Sequence, residues 1–330
     1  MPPDRSSLKR RVPTVVGALL GLVATGFLVR SLVRDWGKVG DALASADVGL
    51  LVLGVVLAGV SMAHLGWLWA DGIAVFGRRA ERGKVVVWWF VGELGKYVPG
   101  GVLSVVGRAE VARRAGIRRS AAYGSVPLTL ALRYLAGMMA FAVLVPFDLA
   151  NQKSLAALAA VLARPAGLVA LHPTVLGYVK ARAEGLAKRP LDLPVPSWGQ
   201  TIRLTADYLP NWALVIASTW CVTRAISPDA PVLRIAIATL LSWILGFLAF
   251  PIPAGAGVRE AVFVAASGLP AGLGATVAIA SRLAFILVDG LGAAVCMPRL
   301  RKSRLDDSVI STPSVATPGV PPPPPTGEVR

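Results

Sequence analysis

VGLLVLGVVLAGVSMAHLGWLWA, residues Val48 to Ala70, contains no lysine, arginine or carboxylate. As a helix rising about 1.5 Å per residue, it is long enough to cross a hydrocarbon core of roughly 30 Å. The rest of the chain has the same character. Hydrophobic residues make up 55% of its 330 residues, and mean hydropathy is +0.65, against roughly 45–50% apolar residues in soluble domains. These features predict an all-α, polytopic integral membrane protein.

Outward from that run, similar spans cover Val12 to Val33, Ala121 to Pro146, Leu155 to Leu171, Leu209 to Ile226, Val232 to Phe250 and Leu273 to Met297. The first has a basic start like a secretory signal, but Arg30, Arg34 and Asp35 follow it where small residues would mark cleavage, so it reads as a retained helix. Two more apolar stretches, residues 85–108 and 250–270, carry glycine, proline and ionisable residues in mid-segment. Gly and Pro interrupt the helical hydrogen-bond ladder, and the freed backbone groups are tolerated at membrane depth only inside protein or beside a water-filled cavity. The expectation is about seven to eight transmembrane helices with two broken or re-entrant segments. Residues 1–11 form a basic N-terminus, 12–300 the membrane domain and 301–330 a disordered proline-rich tail.

The net charge of +16, from 34 Lys and Arg against 18 Asp and Glu, sits between apolar runs rather than along a groove, so it indicates loops on the inner side of a membrane and no nucleic acid partner. Lys9, Arg10 and Arg11, then Arg78, Arg79, Arg82 and Lys84, then Arg113, Arg114, Arg118 and Arg119 place the N-terminus and the ends of segment 85–108 in the cytoplasm. If residues 250–270 cross fully, Arg299, Arg301, Lys302 and Arg304 return there too, and eight crossings are preferred on that ground. Cys221 and Cys296 have no metal or disulfide spacing near them. No metal or cofactor is expected.

The chemistry-bearing residues concentrate in the broken segments. Glu93, Lys96 and Tyr97 lie together before Pro99, Gly100 and Gly101, and a charge at the bilayer centre costs at least ~2.5–3.5 kcal/mol unless it faces a cavity or pairs. Glu93 and Lys96 are one helical turn apart and can neutralise each other, either to tie a loop down or to line a substrate path. Arg108 and Glu110 close that segment, read equally as a phosphate fork or as interfacial anchors. In the second, Pro253, Gly255 and Gly257 precede Arg259 and Glu260, so a glycine-rich turn leads into a short helix whose first N–H groups suit an anion. Interrupted segments in corresponding places of two halves point to a transporter site. Arg133, Arg282 and Asp289 are intramembrane charges that need partners, the last two sharing a helix face two turns apart. His64, His172 and the tryptophans, Trp67, Trp69, Trp88, Trp89, Trp212 and Trp220 among them, read as interfacial residues.

GELGKYVPGGVLSVVGRAEVARRAGI from Gly92, the later Arg133, PIPAGAGVREAVF from Pro251 and the helix with Arg282 together resemble the transmembrane region of the lysylphosphatidylglycerol synthase family. The resemblance implies a bacterial inner-membrane protein that binds membrane lipids and translocates an anionic phospholipid or lipid-linked intermediate. Matched positions are Lys96, Tyr97, Pro99, Gly100, Arg108, Pro253, Gly255, Gly257 and Glu260. The full-length synthase carries a soluble catalytic domain after its membrane part, whereas this sequence continues into STPSVATPGVPPPPPTGEVR, so aminoacyl transfer is not expected. The expected mechanism has Lys96 and Arg108 engaging a phosphate while Glu93 and Glu260 balance charge. Competing readings are a membrane-embedded transferase using a polyprenyl-phosphate donor, and a scaffold whose tail recruits a soluble enzyme. The sequence leaves a homo-oligomer open.

Overall fold

The computed structural model describes residues 44–97, 102–149, 172–187, 194, 196–249 and 255–310. The spans at 12–33 and 155–171, the turn residues Pro99, Gly100 and Pro253, and the tail beyond residue 310 lie outside the described residues. Ten α-helices and one 3-10 turn account for the described architecture, and it contains no strand among those residues. The helices are α1 (Val48–Ala74), α2 (Arg82–Glu93), α3 (Val102–Arg114), α4 (Arg119–Leu149), α5 (Pro173–Ala187), α6 (Trp198–Ala206), α7 (Leu209–Ile226), α8 (Val232–Leu248), α9 (Val258–Ser267) and α10 (Ala271–Ile310).

Among the described residues three helices are long and apolar enough to cross a membrane, α1, α4 and α10, and α8 is apolar but shorter. Helix α7 carries Asn211, Ser218, Thr219 and Thr223 as buried polar residues. Those groups face protein. Asn211 Nδ2 donates to the Ser61 carbonyl at 2.7 Å and Ser218 Oγ to the Gly54 carbonyl at 2.7 Å, so α7 is held against α1 by bonds from side chain to backbone. Small residues let the backbones approach: a Cβ on Gly54 would meet the Ser218 carbonyl oxygen at 3.2 Å, and one on Gly66 would meet Val86 Cα at 2.8 Å.

The two broken segments are helical hairpins. Helices α2 and α3 have 12 and 13 residues, about 18–20 Å each and too short to span. Their arms touch at Gly92, where a Cβ would strike the backbone of Arg108. Both outer ends return to the end of α1: Arg82 pairs with Asp71 at 2.8 Å, and Arg118, just past α3, donates to the Phe76 carbonyl at 3.5 Å. Segment 85–108 therefore enters and leaves on one side, as expected.

The second hairpin pairs α8 with α9, which has 10 residues. Gly255, at φ 63°, lies so close to α8 that a Cβ would meet the Gly246 carbonyl oxygen at 2.6 Å, so this position requires glycine. The outer end of α9 returns to the start of α8, since a Cβ on Gly268 would lie 2.9 Å from Arg234 Nη1. Arg234 in turn pairs with Asp148 at the end of α4. The two hairpins thus enter the bundle from opposite ends of α4. Helix α9 folds back against α8 instead of crossing fully, and α10 then runs to the side of the first hairpin, the side expected for Arg299.

Helix α10 has 40 residues with Pro298 inside. It continues through residues 301–310, which the sequence assigned to the tail; the helix already begun carries these residues on past the proline. The tryptophans also need correction. Trp69, Trp88, Trp89 and Trp212 are buried in the main core, and among the described residues only Trp67 and Trp198 are exposed. Their ring N–H groups explain part of this, Trp69 donating to Ser125 Oγ at 3.0 Å and Trp212 to the Arg133 carbonyl at 2.7 Å.

Replacing Gly66 with valine forces α1 from α2 and should cost about 1–3 kcal/mol. Gly177→Val, where a Cβ meets nothing within 4 Å, serves as the control. Thermal unfolding in detergent should show the first variant well below the second.

Candidate functional site

The hairpin tips converge on α10. At the first tip, Lys96 Nζ lies 2.6 Å from Asp289 Oδ2 and donates to Glu93 Oε1 at 3.1 Å, while Tyr97 Oη donates to Asp289 Oδ2 at 2.5 Å. Arg108, from the returning arm, approaches Glu93 Oε2 at 3.7 Å and lies 4.3 Å over the Trp89 ring. Asp289 is 0% exposed, so its charge is tenable only through these donors. The 3-10 turn Leu94–Tyr97 lets Lys96 and Tyr97 both reach it.

At the second tip, Glu260 joins α9 to α10. Its Oε2 accepts from the Gly257 N–H at 2.7 Å, and its Oε1 accepts from Arg282. The start of α9 is thereby occupied by the chain's own carboxylate, which corrects the expectation of an open anion site at that helix start. Gly257, at φ 82°, supplies the left-handed turn that brings Glu260 back over it.

Arg282 and Asp289 do share a face of α10, but each serves a different hairpin. Arg108 is 3% exposed and inside the bundle, so its reading as an interfacial anchor fails. Glu110 does lie at the bundle's end, where Arg113 and Arg114, each at 2.7 Å, hold its carboxyl well below the usual range.

Between the tips sits Arg133, 5% exposed. Its guanidinium carbon is 5.1 to 5.6 Å from the ring centroids of Trp243, Trp212 and Tyr134. Its Nε and Nη2 have no hydrogen-bond partner. Arg259, which the sequence reading did not place in the site, stacks 3.7 Å from the Trp243 centroid, its stem fitting against Gly246. Adjacent Arg and Glu at the start of a short helix gave no signal of which would pair and which would stack. A cavity of about 20 Å³, room for a water, adjoins Arg259, Glu260, Arg282 and Ser281. A wider polar groove of about 640 Å³ opens at the first hairpin's end of the bundle, bounded by His64, Trp67, Asp71, Arg79, Arg82 and Arg203. His64 borders this groove.

A helical bundle whose two broken hairpins enter from opposite ends and meet on one transmembrane helix is the architecture of a polytopic membrane protein with a polar site in its interior. The chain belongs to the lysylphosphatidylglycerol synthase TM region family, matched over residues 14–292, and its role is therefore one at membrane lipids. No curated protein matches it.

Asp289→Asn removes the nearer of the two carboxylates that hold Lys96 and leaves it Glu93 alone, so it should cost part of the about 3–5 kcal/mol that follows when a buried charge loses its partner outright. The melting temperature in detergent should fall accordingly. Adding Lys96→Met, which removes the cation left one carboxylate short, should recover part of the loss, because Glu93 keeps Arg108.

Proposed function

We propose that this protein is a lipid flippase that carries an anionic phospholipid or lipid-linked intermediate across the bacterial inner membrane, with its N-terminus in the cytoplasm. The observation that carries the reading is the meeting of two hairpins from opposite ends on Asp289 and Arg282 of one helix. Each contact closes the interior toward one end of the bundle. Parting the first frees Lys96 and Arg108 for a phosphate arriving from its side; parting the second frees Arg282 toward the other. The acyl chains stay in lipid while the headgroup passes between the hairpins, so the charged group never meets bare hydrocarbon.

The protein acts on this reading without altering the lipid. The sequence has no GxxxxGK[ST] motif for a nucleotide, so on this reading the drive comes from a gradient, from the lipid's own imbalance or from a partner.

The test uses proteoliposomes containing a fluorescent anionic phospholipid and a membrane-impermeant quencher. Wild-type protein should expose inner-leaflet lipid. The charge-neutral pair Lys96→Met/Asp289→Leu, which keeps the bundle free of a stranded charge, should lower the rate about tenfold or more, a loss on the order of 1.4 kcal/mol in the barrier. A folded double variant that transports at the wild-type rate would exclude the first tip as part of the path.

A further inference from the structure

The interior carries more positive charge than its own carboxylates can balance. Among the described residues inside the bundle, Lys96, Arg108, Arg133, Arg259 and Arg282 face Glu93, Glu260 and Asp289, five cations to three carboxylates. The carboxylates are all committed. Glu93 and Asp289 are engaged by Lys96 and Arg108, and Glu260 by Arg282. That leaves Arg133 and Arg259, both gathered around one ring, Trp243. Neither forms an ion pair with a carboxylate among the described residues, and each lies in the other's field.

Aromatic faces supply part of the missing compensation for each cation. They carry no net charge, so the repulsion between two guanidiniums in a medium of low dielectric remains. A guanidinium left with unused donors in such surroundings is poised for an oxyanion, which its planar fork binds in bidentate fashion. Arg133 has both Nε and Nη2 unused, the two atoms that form one edge of that fork. Ser281 Oγ, also without a hydrogen-bond partner, lines the small cavity beside Arg259.

From this we infer that Arg133 and Arg259 form the seat of a doubly charged headgroup, and that the cargo class is a lipid phosphomonoester rather than a monoanionic phosphodiester or a zwitterionic lipid. The inference rests on the flippase reading and narrows its substrate. Two negative charges neutralise the two surplus cations; a phosphodiester leaves one uncompensated, and a zwitterion brings an ammonium with it. In this structure the seat is closed, because the adjoining cavity of about 20 Å³ has room for one water and no more. The headgroup arrives past the first tip, and the Glu260 to Arg282 contact between α9 and α10 is the one that parts as it seats. Diacylglycerol phosphate and polyprenyl phosphate present the same phosphomonoester, and the seat reads that group alone.

The experiment is native mass spectrometry of the full chain reconstituted with an equimolar mixture of phosphatidic acid, a polyprenyl phosphate, phosphatidylglycerol and phosphatidylethanolamine at pH 8, where the monoesters are largely dianionic. Wild type should retain the two phosphomonoesters in about tenfold excess over phosphatidylglycerol, equivalent to roughly 1.4 kcal/mol. Arg133→Gln and Arg259→Gln should each abolish that excess while phosphatidylglycerol binding persists, and Arg133→Lys, which keeps the charge, should restore much of it. A polyprenyl phosphate retained above phosphatidic acid would add chain recognition to the same seat. Equal retention of phosphatidylglycerol and the monoesters overturns the charge-matched seat and leaves the flippase reading standing. An excess that survives both glutamine variants overturns the assignment to these arginines. Retention of no lipid by a folded wild type overturns both readings.

Discussion

A carboxylate that no solvent reaches must be matched by the protein itself, and Asp289 is the place where this chain meets that constraint most severely. In the low-dielectric interior an uncompensated charge is worth several kcal/mol against folding, so the position of Asp289 dictates where the first hairpin must end. Lys96 and Tyr97 satisfy one oxygen, and Lys96 in turn fixes Glu93, which draws in Arg108 from the returning arm. One buried acid thereby determines the depth of α2, the register of α3 against it and the approach of both to α10. Arg282 exerts the same control from the opposite charge, fixing Glu260 and hence the start of α9.

Charge alone does not bring the arms so close. Gly92 permits the backbone of Arg108 to pass where any side chain would collide, and Gly246 and Gly255 do the same for the second hairpin. On α10, Gly292 accommodates the ring of Phe90, seating α2 one turn beyond Asp289. The glycines therefore do two different tasks. Gly255 and Gly257 adopt positive φ in the turn, whereas Gly92, Gly246 and Gly292 are needed for their missing volume. This second use is invisible in a local motif, because the group that fills the space comes from elsewhere in the chain.

The same distinction explains how far the sequence could be read. Runs of apolar residues such as Val48 to Ala70 announce their helices, and charges next to Gly and Pro announce the breaks, since both signals are local. The Glu93 to Lys96 pair was legible as one helical turn. What each intramembrane charge bonds to was not: Tyr97 and Asp289 are 192 positions apart, and nothing near either names the other. The tryptophans were misread for a related reason. An indole is at home both at an interface and in a core that supplies an acceptor for its N–H, and the acceptors, Ser125 and the Arg133 carbonyl, become evident only when α4 is in place. Arg108, at the end of an apolar run, reads equally as a phosphate fork or as an anchor, and only the hairpin's fold carries it inside. Residues 301–310 show the limit of reading by composition, because a charged stretch beyond Pro298 still extends a helix already begun.

On the proposed reading the two closures differ in strength, and the difference has a mechanical consequence. The first tip is a network in which Asp289 receives both Lys96 and Tyr97 and Glu93 stands by to hold Lys96. Lys96 can exchange Asp289 for Glu93 or for an incoming phosphate without ever being left alone, so the desolvation penalty is never incurred in full. At the second tip Arg282 has Glu260 as its ion partner, and that carboxylate also caps α9 through the Gly257 N–H. Parting it strands an arginine unless an anion is already present. An empty interior therefore holds the second contact shut through the cost of a bare guanidinium. A loaded one relaxes it, because the headgroup itself replaces Glu260 as the counter-ion. Coupling between cargo and opening then needs no separate device: it follows from a carboxylate and a phosphate competing for one buried cation.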